Sequence, residues 1–303
     1  MFDVSIIVVN WNTRQLLRDC IDSILRHSEG YSVEIVVVDN HSSDGSVEMV
    51  REQYPQVLLI ANEENTGFAR ANNQGVRAAS GRYVLLLNSD AMLTPGALRS
   101  LMELAASNPR IGMVGAQLIY PDGSFQASFT RIPTLRQEFL ILSGLGRLLY
   151  GRTYPSFGPE ESAGPQPAGY VEGACMLAPR SAYLGVGGLD EGYFMYAEDV
   201  DLCFAMHRGG WQVWYQPEAR IIHLGSASSK NRKPQREADL YRSRVRFFRK
   251  NYGNSSAAAL KALIFAFTVV KMAAHRVLRL VSGGRLGRPV VGMRQLYTTL
   301  KGA

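Results

Sequence analysis

Five carboxylates lie within one stretch of the chain, residues 188–211, and they are Asp190, Glu191, Glu198, Asp199 and Asp201. Three aromatic residues, Tyr193, Phe194 and Tyr196, are interleaved with them. A carboxylate beside an aromatic wall can hold a sugar hydroxyl and take its proton, which is general-base chemistry. A plainer interpretation is that the acids only cap an amphipathic helix, because negative charge is favoured in a first helical turn. Both interpretations stay open for any single acid.

The second half of this stretch has the pattern of a helix that begins at its paired acids. Acids fill the first turn, and His207 and Arg208 precede Gly209-Gly210, a combination typical of a helix end. On such a helix Asp199 and Asp201 point about 200° apart, since each residue turns by about 100°. We therefore expect one of them to face a small cleft and the other to face solvent or brace the loop.

Short, β-branched apolar runs in the first third of the chain predict strands buried in a parallel sheet. They cover residues 4–10, 34–39, 57–61 and 83–88, with helical spacing at 13–28 and 69–79. This alternation predicts a doubly wound, mostly parallel sheet flanked by helices on both faces. Further along we expect a helix at 95–108 capped by Thr94, strands at 111–120, 171–178, 211–215 and 219–223, and an irregular, mobile insertion at 130–170.

Polar side chains stand where these strands end: Asn10 and Asn12 after the first, Asp39 after the second and Asp90 after the fourth. Ligands of open α/β sheets bind beyond the carboxyl ends of the strands. His223 closes the last apolar run, although a histidine there can also be purely structural. The chain lacks GxGxxG after its first strand, GxxxxGK[ST], and the Gly-rich basic loop of nucleotidyltransferases. Dinucleotide oxidoreductases, P-loop NTPases and nucleotidyltransferases are therefore disfavoured.

Charge is divided unevenly along this chain of 303 residues, whose formal net charge is +7. From Lys230 onward it holds 17 of the 33 Lys/Arg but only two of the 26 Asp/Glu. A basic tail on a mildly acidic body predicts an anionic partner, either membrane phospholipid or nucleic acid. Three cysteines without metal-like spacing, and no secretion signal, predict a reducing cytosolic setting.

A helix is predicted at 257–281, where one side carries Lys261, Thr268, Lys271, His275, Arg276 and Arg279. Apolar residues occupy the rest, but the uncharged run 262–270 has only nine residues, against the roughly 20 needed to span a bilayer. The pattern favours a basic helix lying in a membrane interface. The alternatives are a helix packed on the catalytic domain or on a second subunit. A non-catalytic nucleic-acid module, with Phe247, Phe248 and Tyr252 stacking on bases, is disfavoured because acids at the strand ends would repel phosphate.

Taken together and in order, several motifs resemble the inverting family 2 glycosyltransferases of GT-A fold, especially the bacterial rhamnosyltransferase-like branch. The resemblance spans roughly residues 4–225. It rests on these segments: Ser5-Ile-Ile-Val-Val-Asn-Trp-Asn12, Val36-Val-Val-Asp-Asn-His-Ser-Ser-Asp-Gly45, Asn65-Thr-Gly-Phe-Ala-Arg-Ala-Asn-Asn73, Leu86-Leu-Asn-Ser-Asp90, Gly173-Ala-Cys-Met176, residues 188–211 and His223. It implies a GT-A catalytic domain at 1–228, with a nucleotide-sugar half at 1–110 and an acceptor half at 111–228. A basic helical extension would follow at 229–303.

On the donor side, the resemblance implies a nucleotide-sugar site formed by Asn10, Asn12, Asp39, Asn40, Arg70, Asn88, Ser89 and Asp90. Asp39 would bind the base and Arg70 would lie near the diphosphate. Asp90 would be the acidic end of the family's Asp-x-Asp signature, in which Asn88 replaces the first Asp here. Asp90 and His223 would then hold a divalent metal, Mg²⁺ or Mn²⁺, together with diphosphate oxygens and water.

On the acceptor side, the resemblance implies direct displacement, and we assign the general base to Asp199, with Glu198 as the alternative. Acceptor contacts are expected from Gly173, Ala174, Asp190, Glu191 and Tyr196. The motif variants favour dTDP-L-rhamnose as donor, with UDP-hexose or UDP-galactofuranose as alternatives. A saccharide or polyprenyl-linked acceptor would suit an enzyme of cell-envelope polysaccharide synthesis, peripheral on the cytoplasmic face of the membrane. A homodimer is a further expected assembly, and no nucleic-acid partner is expected.

Overall fold

A computed structural model describes residues 2–28, 30–159, 163–225 and 233–281, with side chains of the last range described from 238 to 276. The chain forms two compact units, each of which is built from segments that are distant in sequence. The first, here called the sheet unit, comprises Met1–Ile132, Ser156–Phe194 and Glu198–Ser228. The second, here called the tail unit, comprises Pro133–Pro155, Met195–Ala197 and Ser229–Ala303.

A ten-stranded sheet forms the centre of the sheet unit, with strand order β3-β2-β1-β4-β11-β6-β12-β5 and with β7 and β9 paired beside it. Its strands are β1 (Val4–Asn10), β2 (Val33–Asp39), β3 (Leu58–Ala61), β4 (Tyr83–Asn88), β5 (Ala91–Leu93), β6 (Ile111–Ile119), β7 (Phe125–Gln126), β9 (Gln166–Pro167), β11 (Cys175–Pro179) and β12 (Gln212–His223). A separate pair joins β8 (Phe129–Thr130) to β10 (Tyr170–Val171). The predicted first and fourth strands are confirmed residue by residue.

Helices cover both faces of this sheet, as the doubly wound pattern predicts. Alternate residues of β1 enter two different cores: Ile6 lies in one, while Ile7 lies in the other. The helices are α1 (Arg14–His27), α2 (Ser46–Gln53), α3 (Phe68–Ala78), α4 (Ala97–Ser107), α7 (Arg180–Gly185) and α8 (Glu198–Arg208). The sheet is mainly parallel, but β11 runs antiparallel to both β4 and β6.

Several local predictions are wrong for identifiable reasons. The helix predicted from Pro95 begins at Ala97 after Gly96 (φ +79°), because Thr94 donates its hydroxyl to the Arg220 carbonyl (2.8 Å) instead of capping. The strand predicted at 171–178 is interrupted after Val171, and the two strands predicted in 211–223 are one strand, β12. The irregular region predicted at 130–170 contains short strands and two helices.

Those two helices, α5 (Leu135–Ser143) and α6 (Leu145–Tyr150), belong to the tail unit. Thr134 caps α5 by accepting a hydrogen bond from the backbone N–H of Gln137 (3.2 Å). The other helix of this unit is α9 (Lys233–Val281), which kinks at Gly253, where φ is +87°. Arg244 of α9 donates to the buried Glu138 carboxylate of α5 (3.1 Å), and the rings of Phe139 and Phe267 meet edge to face.

The second half of α9 is amphipathic in a different way from the prediction. Thr268, expected on the polar side, is buried on the same face as Leu260 and Ile264, whereas Val270 is 61% exposed. Predicted positions 277–281 have no described side chains. Within Ala238–Arg276, an 18-residue window has a mean hydropathy of 1.8 and is 22% buried. Among the described residues this is the one helix long and apolar enough to cross a bilayer, judged by length and composition alone.

Candidate active site

The ends of β1 and β2 carry a closed hydrogen-bond network. Their parallel register pairs Asn10 with Asp39, and Asn10 Nδ2 donates to Asp39 Oδ2 (2.8 Å). The other carboxylate oxygen of Asp39 accepts the backbone N–H of Ser42 (2.8 Å), and the Ser42 hydroxyl accepts from Asn10 Nδ2 (3.1 Å). Both Asn10 and Asp39 are buried. This pairing satisfies their polar atoms and fixes their orientation without a ligand.

Asn12 joins the same network from the turn after β1. Its φ of +53° lies in the left-handed region, which asparagine tolerates better than most residues. Its backbone N–H donates to the Ser42 hydroxyl (2.9 Å), and its Oδ1 accepts the N–H of Ser43 (2.8 Å). The two predicted base-binding loops therefore hold each other in place.

A second link runs from β1 to the end of β4. Thr13 Oγ1 donates to Asn10 Oδ1 (2.7 Å) and lies 3.0 Å from the Ser89 hydroxyl. Asn40, also predicted in this site, donates to the Gly67 carbonyl (3.2 Å) and is buried. Five predicted donor-site residues thus occupy one edge of the sheet, and they are Asn10, Asn12, Asp39, Asn40 and Ser89.

Asn88, Asp90 and His223 meet at the same edge. His223 Nε2 lies 3.4 Å from Asp90 Oδ1 and 3.5 Å from Asn88 Nδ2. The other ring nitrogen, Nδ1, lies 3.0 Å from Gln126 Oε1. With that amide oxygen as acceptor, the proton is on Nδ1 and the Nε2 lone pair faces Asp90. Antiparallel pairing of β12 with β5, which aligns His223 with Ala91, fixes this geometry.

These residues fit a divalent cation. One carboxylate oxygen and one imidazole nitrogen are close enough to contact the same ion, and both side chains are mostly buried. The buried Oδ1 of Asn88 has no hydrogen-bond partner among the described residues, so a neutral oxygen donor also stands there. In the described part of the chain, no group of three His, Cys, Asp or Glu side chains is arranged to hold a metal ion. Ligand oxygens would therefore have to complete the shell.

Two carboxyl groups of the acidic stretch, those of Glu198 and Asp199, form a cluster with the carboxyl group of Glu172. Asp199, at the start of α8, accepts the backbone N–H of Gly173 at Oδ2 (2.9 Å) and that of Val200 at Oδ1 (2.8 Å). Burial raises the pKa of Asp199, although these two N–H groups oppose the shift. Burial, then the charge of Asp199, raises the pKa of Glu172 to about 8 and that of Glu198 to about 8. Glu198 Oε2 is buried and has no partner among the described residues.

Two consecutive residues connect this cluster to the candidate cation site. The N–H of Gly173 binds Asp199, and the carbonyl of Ala174 accepts the N–H of Asn88 (3.0 Å). A Cβ on Gly173 would lie 3.4 Å from the Cβ of Asp199, so this peptide runs directly beneath the acid. The interruption between β10 and β11 is what brings Asp199 next to the end of β4.

The remaining acids have separate partners. Asp201 is buried and accepts the phenolic hydroxyl of Tyr193 (3.4 Å), so it braces the loop before α8, one of the two roles expected for the second acid. Asp190 accepts the N–H of Gly192 (2.8 Å) in a turn. Tyr196 lies in the Met195–Ala197 segment of the tail unit, with a φ of +73°.

Arg70 and Glu191, predicted for opposite substrates, contact each other. Arg70 Nε lies 3.2 Å from one Glu191 oxygen, and Arg77 Nη1 lies 3.3 Å from the other. Asn73 also donates to Glu191 (3.1 Å) and is itself held by the Tyr183 hydroxyl (2.7 Å). Among the hydrogen bonds of the described residues, none joins Arg70 to the strand-end groups. Its predicted role near a diphosphate therefore requires it to leave Glu191.

Four residues of this site lie outside the sequence prediction, and they are Thr13, Ser42, Gln126 and Glu172. Thr13 and Ser42 stand in polar turns directly after the first two strands, which is a signal that could have included them. Glu172 precedes the predicted Gly173, but its proximity to Asp199 depends on how β10 packs against α8. Gln126 belongs to a two-residue strand with no distinctive pattern.

Known proteins are similar to this chain in sequence and in fold. Residues 5–164 match the family described as Glycosyl transferase family 2. Two Mycobacterium tuberculosis proteins named N-acetylglucosaminyl-diphospho-decaprenol L-rhamnosyltransferase are 31% identical over 204 residues, covering 63% of this chain and 66% of theirs. The O-antigen biosynthesis protein RfbC of Myxococcus xanthus is 27% identical over 241 residues, 74% of this chain and 17% of its own length. The chain thus spans just under two thirds of the mycobacterial relatives and a small part of RfbC.

Two solved structures share the fold. The mannosyltransferase PcManGT of Pyrobaculum calidifontis, in complex with GDP-Man and Mn²⁺, has a TM-score of 0.58 and 18% identity, covering 98% of this chain and 83% of that one. GalNAc-T7 with UDP, GalNAc and Mn²⁺ has a TM-score of 0.58 and 16% identity, with coverage of 82% and 48%. The mixed α/β sheet followed by a C-terminal helix is a GT-A fold. The match over more than half of its length shows that this chain belongs to glycosyl transferase family 2.

Proposed function

We propose that this chain transfers a sugar from a nucleotide sugar to an acceptor hydroxyl, with inversion at the anomeric carbon. The observation that carries the proposal is the Gly173-Ala174 peptide, which ties the Asp199 carboxylate to Asn88 beside Asp90 and His223. A base and a potential cation site are thereby held at neighbouring points of one sheet edge. Direct displacement needs both groups, one on each side of the reacting carbon.

Asp199 is the proposed general base. Its two backbone hydrogen bonds orient the carboxylate and favour its ionised form, while burial keeps it basic enough to accept a proton. Glu198 is the alternative base, since its Oε2 is buried without a partner among the described residues. The proton of the acceptor hydroxyl moves to the base as the oxygen attacks the anomeric carbon. The bond from that carbon to the diphosphate oxygen breaks at the same time.

The donor side would bind and neutralise the leaving nucleoside diphosphate. Asp39, with Asn10, Asn12 and Asn40 around it, would recognise the base, and Ser89 and Asn88 would line the path toward the phosphates. Asp90 and His223 would hold Mg²⁺ or Mn²⁺, which supplies positive charge for the departing diphosphate when bound. Arg70 would add to that charge after leaving Glu191. Gly173, Ala174, Asp190, Glu191 and Tyr196 remain the proposed acceptor contacts.

The mycobacterial relatives support L-rhamnose as the transferred sugar and a polyprenyl-linked saccharide as the acceptor. The proposed donor is dTDP-L-rhamnose, with UDP-hexose and UDP-galactofuranose as alternatives. A lipid-linked acceptor would place the enzyme at the cytoplasmic face of a membrane, in cell-envelope polysaccharide synthesis. The basic α9, with Lys261 and Lys271 inside its apolar stretch, supports peripheral attachment to anionic lipid there.

Base stacking on a nucleic acid is less well supported than lipid binding as a function of the tail unit. Phe247 and Phe248 are buried and pack edge to face with each other and with Tyr252, at 5.2 to 5.9 Å between ring centroids. Buried rings cannot stack on bases without local rearrangement, so this observation favours a lipid partner over a single-stranded nucleic acid.

A panel of nucleotide sugars, tested with and without Mn²⁺, provides the direct experiment. Thermal unfolding should shift upward selectively with the true donor, because a ligand that binds only the folded state stabilises it. Transfer is then followed by mass spectrometry with a polyprenyl-diphosphate N-acetylglucosamine acceptor. If no nucleotide sugar raises the melting temperature and no product forms, the proposed function is wrong.

A further inference from the structure

Helix α6 of the tail unit exposes an unusual amount of apolar surface. Leu148 is 79% exposed, Leu149 63% and Tyr150 56%, and Leu145 is exposed beside them. We call Leu145, Leu148, Leu149 and Tyr150 the apolar tip. Contiguous exposed leucines with an aromatic residue are costly to leave in water and commonly mark an interaction surface.

The apolar tip is fixed to the rest of the tail unit. Gly146, the buried residue of α6, packs so closely that an added Cβ would lie 2.3 Å from the Tyr154 ring. α5 precedes the tip and is tied to α9 by the Arg244–Glu138 ion pair (3.1 Å). The Tyr252 hydroxyl donates to the Pro133 carbonyl (2.9 Å), which secures the start of this helical pair. These contacts join the α5–α6 pair to α9 and leave the side chains of the apolar tip exposed.

The exposed charged residues of Pro133–Pro155, the segment that carries the tip, are all arginines. Arg136, Arg147 and Arg152 are all exposed on or beside the two helices, while Glu138, the acid of this segment, is buried against Arg244. After Asp239 the chain contains no further Asp or Glu. α9 adds exposed apolar residues of its own, Phe265, Val269 and Val270. The surface therefore combines apolar side chains with a basic surround.

We infer that the α5–α6 pair is a membrane-insertion element, whose apolar tip enters the interface of an anionic bilayer while the three arginines contact lipid headgroups. A bilayer offers apolar and anionic surface side by side and requires no matched shape. Leucines enter the acyl boundary, Tyr150 suits the interfacial region, and arginine stems can lie along apolar surface with charged heads at phosphate level. A second copy of the chain would bring like charge against like charge, so it fits less well.

This inference deepens the proposed membrane attachment and assigns a second contact besides α9. It predicts that Leu149, labelled through Leu149→Cys with an environment-sensitive fluorophore, moves out of water when phosphatidylglycerol vesicles are added. The chain of 303 residues can be labelled without removing its own cysteines, because Cys20, Cys175 and Cys203 are all buried. Emission should shift to shorter wavelength and strengthen at least about twofold. The matched control is Leu25→Cys, an exposed leucine of α1 in the sheet unit, whose label should not respond.

A second variant tests how strongly the leucines of the apolar tip contribute to vesicle binding. Leu148→Gln/Leu149→Gln should weaken co-sedimentation with phosphatidylglycerol vesicles about tenfold or more, since each leucine loses favourable burial. Three results would overturn the inference: a Leu149 label that stays in water while the protein sediments, wild-type binding by the double variant, or equal binding to neutral phosphatidylcholine vesicles. A concentration-dependent dimer that the double variant abolishes would also overturn it, in favour of self-association.

A measurement of donor binding distinguishes a failure of this inference from a failure of the proposed enzyme function. The thermal shift caused by the nucleotide sugar is measured on the same preparations. A normal shift in the double variant shows that it is folded, so a loss of vesicle binding is attributable to the tip. Absence of any shift in the wild type, with vesicle insertion intact, would reject the proposed function and leave the membrane element standing.

Discussion

The two halves of the candidate site satisfy their polar groups differently. On the donor side, Asn10, Asp39 and Ser42 bond to one another, so the buried side chains of Asn10 and Asp39 have partners before any ligand arrives, and the orphaned Oδ1 of Asn88 lies at the neighbouring candidate cation site. On the acid side, Glu198 is buried with an oxygen that lacks a partner among the described residues, and Glu172 is pressed near Asp199. Burial on the acid side, together with the charge of Asp199, raises the pKa of Glu172 and Glu198.

This difference separates recognition from proton transfer. A preformed, satisfied network offers a rigid outline to a ligand and loses little entropy on binding. A buried, under-satisfied carboxylate is energetically strained, but its altered pKa suits it to exchange protons near neutral pH. Variants on the two sides should therefore fail in different ways, one in binding and the other in turnover.

The largest effect is expected for Asp199→Asn. The amide keeps the shape of the side chain but cannot accept the hydroxyl proton, so transfer should fall by roughly 10²- to 10⁴-fold. Donor-induced thermal stabilisation should stay within error of the wild type. Asp122→Asn, in an exposed turn, is the matched control for an acid-to-amide change and should keep full activity. Wild-type turnover in Asp199→Asn would transfer the role of base to Glu198.

On the donor side, the substitution Asp90→Asn is expected to weaken binding of the nucleotide sugar. Removing the charge should abolish the Mn²⁺-dependent part of donor binding, a drop on the order of 100-fold, because carboxylate is the stronger cation ligand. Gln126→Leu should weaken Mn²⁺-dependent binding by about 10- to 100-fold, since it only orients His223. Isothermal titration with and without Mn²⁺ measures both. If Asp90→Asn keeps the full response to Mn²⁺, the cation binds elsewhere.

The carboxyl cluster should make stability depend on pH. Folding raises the pKa of Glu172 and Glu198 from 4.5 to about 8, so the folded state retains protons that the unfolded chain releases within this window. Stability should fall as pH rises from 4.5 to 8, by at most about 1.4 kcal/mol per pH unit for each carboxyl. Glu172→Gln should reduce this slope in urea unfolding across pH 5 to 9. An unchanged slope would place the titration on other groups.

The smallest effect is expected for Glu191→Gln. Its ion pairs with Arg70 and Arg77 are more than half exposed on the arginine side, so stability should change by less than about 1 kcal/mol. Release of Arg70 should instead tighten donor binding slightly, if Arg70 moves to the diphosphate. Weaker donor binding in this variant would show that Arg70 acts only through Glu191.

How far the sequence predicts this structure depends on whether a feature is local. β1 and β4 are continuous apolar runs, and their ends could be read directly, together with Asn10, Asp39 and Asp90. The sequence of a strand does not show whether the strand runs parallel or antiparallel to its neighbours, so the antiparallel pairing of β11 with β4 could not be predicted. Glu172 was missed for the same reason, because its neighbour Asp199 is 27 residues away and meets it only after folding.

The helical pair α5–α6 was missed for a different reason. Prolines and glycines around it obscured a capping signal that was present, in which Thr134 is followed three residues later by Gln137. In α9, the angular position of Thr268 near Lys261 predicts a place on the polar side, but Thr268 also follows Leu260 and Ile264 by whole turns and is buried with them. Tertiary packing outweighs polarity at such positions.

The pairing of β12 with β6 is irregular, so the parts of β12 before and after the irregularity are aligned with their neighbouring strands independently. Its register against β6 shifts between Gln216 and Arg220, and beyond the shift its alignment is also set by β5. A residue inserted at Pro217-Glu218 can therefore be absorbed where the pairing is already broken, leaving the imidazole of His223 in its place. One inserted after Arg220 would rotate every later side chain to the opposite face. The length of this strand can thus vary between Gln216 and Arg220 without displacing His223.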